Sequence, residues 1–135
     1  MKYFPFFIVL IFCSCNRNQK IIAERLSITD SAAINFFAGN GTMDSVVSVT
    51  IIRDKKQLDT LAQFISDAST GEKQCGVDGS IHFFRSNMVL QDIDFRMNDA
   101  DCMHFRLKIN GEWFTTKLSE EAKRFLERVK NKIKN

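Results

Sequence analysis

The sequence predicts an α+β domain, an antiparallel sheet of about six strands with two helices packed on one face, in the order ββαββββα. Three observations carry this. Apolar and polar residues alternate over 81–85, 88–97, 102–109 and 112–117, the period of two that marks half-buried strands. Asn110-Gly111 stands between the last two runs, and both residues tolerate the positive φ of a type I′ hairpin turn. Two other stretches switch to helical spacing, each behind a capping residue.

Taken in order, residues 28–38 are β-prone around Ile34, Phe36 and Phe37, and Gly39, Asn40 and Gly41 turn the chain into a second strand over 46–52. Asp54 with Gln57 forms a capping box, and Leu58, Leu61, Ala62 and Ile65 then recur on one face, which predicts a helix over 55–68. Residues 69–79 contain three Gly and no apolar period, so they form a loop carrying Cys75. After the four alternating strands, Ser119 caps the last helix. Glu120 and Glu121 sit in its first turn, and Ala122, Phe125, Val129 and Ile133 lie along one stripe.

Alternation points Val89, Ile93, Phe95 and Met97, and then Met103, Phe105, Leu107 and Ile109, at the helices. The opposite face then carries His82, Phe84, Leu90, Asp92, Asp94, Arg96, His104, Arg106, Lys108 and Trp113. A turn centred on Ala100 sets Asp92 against Lys108, Asp94 against Arg106 and Arg96 against His104; the Asn110-Gly111 turn sets Lys108 against Trp113.

The first fifteen residues speak to location. Lys2 precedes an apolar run over 3–12, followed by Cys13, Ser14 and Cys15. A run of about ten residues is half of what a membrane-spanning helix needs, but it fits the apolar region of a secretory signal. The arrangement resembles a bacterial lipoprotein signal, in which a small residue precedes the cysteine that is acylated. Ser14 meets that requirement for Cys15, whereas bulky Phe12 precedes Cys13. Phe12 also departs from the aliphatic residue usual three positions before the acylated cysteine. The chain thus divides into a signal at 1–14, an acylated Cys15 with a tether over 15–26, and one α+β domain over 27–135. Acyl chains, each methylene contributing about 0.8 kcal/mol, would hold it to a membrane without a spanning helix.

The remaining composition narrows the partners. The net charge of +3 falls by one when Lys2 leaves with the signal, too mild for nucleic acid. Lys123, Arg124, Arg128, Lys130, Lys132 and Lys134 make the last helix basic, which reads as a solvated face with a favourable helix dipole or as attraction to an anionic bilayer. Export leaves Cys75 and Cys102 as an even pair in an oxidising compartment, and they read as a disulfide. A plain meander would hold them two strands, about 10 Å, apart, so either the Cys75 loop folds across the sheet end or the strand order differs from a meander.

Motifs for chemistry are sparse. Asp92 and Asp94 resemble a catalytic carboxylate pair, but their cationic cross-strand neighbours occupy them. His82 and His104 lie too far apart in this register to share a metal. Asn98, Asp99 and Asp101 offer fewer oxygens than Ca²⁺ takes. Ser80 and Ser86 have no partner at a recognised motif spacing, and neither a cofactor nor a metal is expected.

The Cys15 signal, the run from Cys75 through Asp101-Cys102 to Asn110-Gly111, and Leu118-Ser119-Glu120-Glu121 together resemble the small uncharacterised lipoproteins of Gram-negative envelopes. That resemblance implies attachment to the inner or outer membrane and brings no catalytic residues with it. A helix with four strands also looks like the modules of periplasmic inhibitors that bind through their sheet. The expected function is a non-catalytic, lipid-anchored binding or interaction module using Phe84, Arg106, Lys108 and Trp113, with an envelope protein as partner. The alternative is a small envelope hydrolase or metal-dependent enzyme using His82 or His104 with Asp92.

Overall fold

A computed structural model describes residues 15–68 and 75–132. The expected signal at 1–14 lies outside the described residues, as does Ile133 of the last helix. The elements are α1 (Cys15–Ser27), β1 (Ser31–Phe37), β2 (Val46–Ile52), α2 (Lys55–Ser66), β3 (Gly79–Arg85), β4 (Met88–Arg96), β5 (His104–Ile109), β6 (Glu112–Lys117) and α3 (Glu120–Asn131). All six strands pair antiparallel in one sheet, ordered β2-β1-β3-β4-β5-β6. The mixed α+β class and the six strands follow the sequence, but the described helices number three rather than two.

The additional helix is α1, which replaces the tether expected over 15–26. Ile22 and Leu26, one turn apart, are each only 2% exposed. They pack in the same apolar cluster as Leu58, Leu61 and Ile65 of α2. Gln19 Nε2 donates to the Ala68 carbonyl two residues past α2, and Arg25 Nη1 donates to Gln91 Oε1 on β4 at 2.7 Å. Burial of two aliphatic side chains is worth a few kcal/mol. This suffices to hold a segment whose first turn is wholly polar.

The two expected caps are present. Asp54 accepts from the Gln57 N–H at 3.0 Å, and Ser119 Oγ from the Ala122 N–H at 3.1 Å, each satisfying a donor that the first helical turn leaves free. Ile81, Phe83, Ile93, Phe95, Phe105 and Leu107 point from the sheet into a core closed by the three helices.

One strand departs from simple alternation. Phe83 faces Gln91 but Phe84 faces Val89, so Leu90 is an extra residue, a β-bulge, on β4. The expectation that Val89 points at the helices is corrected: the bulge turns it to the outer face beside Phe84, half exposed, while Gln91 points inward and is buried. Two more expected outer residues, Arg96 and His104, are 4% and 3% exposed. Neighbouring loops fold over that end of the sheet and cover them. Gly41, at φ +82°, lies so close to the Arg96 guanidinium that a Cβ would come within 2.9 Å of it. The Cys75 loop crosses the same end and closes the disulfide to Cys102, with the Cα atoms 6.3 Å apart.

Candidate functional site

The outer sheet face left open by those loops runs from His82 and Phe84 on β3, with Ser80 buried at its covered end, through Asp92 and Asp94 on β4, to Arg106 and Lys108 on β5 and Trp113 on β6. Residues two apart on a strand share a face, so alternation places each series there. The register brings the series together. His82 faces Asp92, Asp94 faces Arg106, and Lys108 faces Trp113.

Pairing between β4 and β5 stops at Ile93 and Leu107. Beyond that point the bulge at Leu90 carries β4 away, and Gln91 bridges the widening gap by donating to the Lys108 carbonyl at 3.2 Å. A groove of about 360 Å³ opens there, lined by Val89, Leu90, Asp94, Arg106, Lys108 and Trp113, with Arg25 of α1 at its rim. Trp113 is half exposed. The Arg106 guanidinium carbon lies 3.7 Å from the centre of its ring and the Lys108 Nζ 4.8 Å. A cation over an indole face contributes about 0.5 to 2 kcal/mol, and a stacked Arg keeps its N–H edge free for an anion.

The acids of the face are partly neutralised. Asp92 Oδ1 accepts from His82 Nδ1 at 2.5 Å, so it pairs with the histidine rather than with Lys108. Asp94 faces Arg106 in register, yet among the described residues it makes no ion pair, and Arg106 stacks on Trp113. Burial raises the Asp94 carboxyl above its usual range against the opposing pull of Arg106. The groove therefore carries three cations, Arg25, Arg106 and Lys108, against one acid already engaged and one that protonates more readily. It is a site for an anionic group beside an apolar surface.

A second arrangement shares the face. Ser80 Oγ is 3.2 Å from His82 Nε2, whose other nitrogen meets Asp92, and Asn35 Nδ2 donates to the same hydroxyl at 3.2 Å. The order of groups is that of a nucleophile, base and acid relay. Sequence reading offered His82 with Asp92 but left out Ser80, because Ser80 and His82, two apart on one strand, match no recognised motif spacing. β3 is paired on both sides, so the backbone N–H groups beside Ser80 are spent in the ladder. Acyl transfer needs donors aimed at the oxyanion, and among the described residues the ladder leaves no backbone N–H of β3 beside Ser80 free for that role.

At the covered end, Asp78 accepts from Arg96 Nη1 at 2.6 Å and from the N–H groups of Met97 and Asn98. Burial alone would raise its carboxyl, but those two N–H bonds and the adjacent guanidinium hold it below the usual carboxylate range. Cys75, Cys102 and His104 gather within 4.8 Å, a grouping that suits a soft metal, but the two sulfurs are joined to each other. Burial lowers the His104 imidazole, only partly opposed by its contact with the Cys102 carbonyl.

Phe84, Arg106, Lys108 and Trp113 thus share one face, with Phe84 at its margin through Val89, whereas His82 and His104 belong to separate environments. Sequence reading left out Arg25 and Val89, the first for want of α1 and the second for want of the bulge. Cys15 is the first residue of α1. Among the described residues no helix is long and apolar enough to cross a membrane. No protein family matches the chain, and comparison with curated proteins and with solved structures finds no match to it.

Proposed function

We propose that the protein is a non-catalytic binding module of the cell envelope, attached to a bacterial membrane through acyl chains on Cys15, whose outer sheet face binds a protein partner presenting acidic side chains. The observation that carries this reading is the half-exposed Trp113, stacked by Arg106 at the lip of a groove with three cations. An aromatic anchor stacked with an arginine is the composition of binding hot spots.

Trp113 is the sole tryptophan of the chain, so its emission reports occupation of the groove. Pull-down from solubilised membranes with the acylated chain should retain a partner that Arg106→Ala and Trp113→Ala lose while both variants keep the wild-type circular dichroism. Added back, the purified partner should quench Trp113. Retention of the same partner by both variants rules out this face. The lipid anchor is checked separately by intact mass, since Cys15→Ser should remove the mass of the acyl chains and release the protein to the aqueous phase.

The Ser80, His82 and Asp92 relay favours a second reading, a small hydrolase. Labelling of Ser80 by a serine-directed fluorophosphonate, lost in His82→Ala, would replace the binding module with that enzyme. On the binding reading Ser80→Ala leaves partner retention unchanged.

A further inference from the structure

The sheet has two edges, and they are built differently. β6 carries Glu112 and Lys117 at its ends, charges of the kind that discourage another strand from pairing. β2 reads Val-Val-Ser-Val-Thr-Ile-Ile, with no charge, Pro or Gly, and among the described residues no strand pairs with its outer side. Val46, Val47, Val49 and Ile51 are each 46–54% exposed. Such an edge is a template for a further strand.

The sequence of β2 is close to a palindrome about Val49. If two copies pair antiparallel with Val49 opposite itself, Val47 meets Ile51 and Ser48 meets Thr50. Apolar residues then cover apolar residues on the outer face. On the other face Ser48 Oγ, a buried atom without a hydrogen-bond partner among the described residues, comes opposite a threonine hydroxyl. Beyond the strand the same register sets Asp44 opposite Asp54, with Arg53 opposite Ser45, so the match between copies rests on the apolar and hydroxyl residues of β2 itself.

We propose that β2 pairs with β2 of a second copy, forming a two-fold dimer with one continuous sheet. The charged β6 edges end up at the two extremes, so assembly stops at two. Seven residues of strand edge bury less than the roughly 800 Å² per partner of a standard interface. The dimer therefore exchanges with monomer as concentration falls.

Opposed residues in an antiparallel pair have Cα atoms about 4.5 to 5.5 Å apart, within reach of a disulfide. In the full chain carrying Cys13→Ser and Cys15→Ser, so that the introduced thiol alone is free, Val49→Cys should give a covalent dimer under mild oxidant, and Lys117→Cys on the other edge should not. Sedimentation velocity should show mass rising toward twice the monomer with concentration. Val49→Lys, which sets like charges opposite each other, should abolish that rise without changing the melting curve. A chain that stays monomeric at every concentration overturns the proposal. So does a dimer that survives Val49→Lys, or cross-linking at Lys117→Cys as efficient as at Val49→Cys.

Discussion

His104 shows what alternation along a strand does and does not determine. Its place on the outer side of β5, opposite Arg96, follows from counting residues away from Ala100. Its burial does not, because the cover comes from a loop distant in sequence and from the disulfide. Burial lowers the imidazole from its ordinary value near 6.5. With a depressed folded-state value, the unfolded chain takes up the proton first as acid is added. The stabilisation is complete above 6.5 and is lost as pH falls through the lowered value of the folded state. Urea midpoints measured at descending pH should fall in this range, and His104→Gln should flatten that part of the profile. Asp78, with its carboxyl held low, adds a loss of the same sign in more acidic solution.

Among elements, α1 was the hardest to read and is the one with the simplest test. Its first turn, Cys15 to Asn18, is polar, and only Ile21, Ile22 and Leu26 mark an apolar side. The one-turn spacing of Ile22 and Leu26 was the available signal, and a short tether after an acylated cysteine explained the same residues equally well. Leu26→Ala should cost about 2 to 5 kcal/mol, the range for emptying a buried leucine site, measured by urea denaturation. A cost near zero would make α1 an ornament on an independent sheet. By contrast, β2 and β6 were legible to the residue. The Asn110-Gly111 turn fixed one end of β6, and Asn110 and Gly111 both take positive φ, at 51° and 82°. The helix starts behind Asp54 and Ser119 were equally readable, since a cap is a local interaction.

At the scale of the whole molecule, long-range closure was the part hidden from the sequence. That Cys75 and Cys102 bond was predictable from their number and the expected compartment; how the loop reaches across the sheet end was not. The bond spans 27 residues. On the chain-entropy model such a closure contributes about 3 to 4 kcal/mol, so reduction should lower the urea midpoint accordingly. Cys75→Ala with Cys102→Ala should reproduce the loss without reductant. Reduction that leaves the midpoint unchanged would mean that Gly41, Arg96 and Asp78 hold that end unaided. The candidate site was legible as a set of residues sharing a face, because register follows from turns. Its concavity was not, because a strand with a surplus residue has the same composition as one without.

That surplus residue, Leu90, has a practical consequence. The width of the cleft beside Trp113 is set by residue count, not by side-chain size. Excising Leu90 would restore regular alternation along β4, with Val89 next to Gln91 and still on the outer face opposite Phe84, and would let β4 pair with β5 past Ile93. A single-codon deletion thus converts a cleft into a flat wall while keeping every charge and ring that surrounds it.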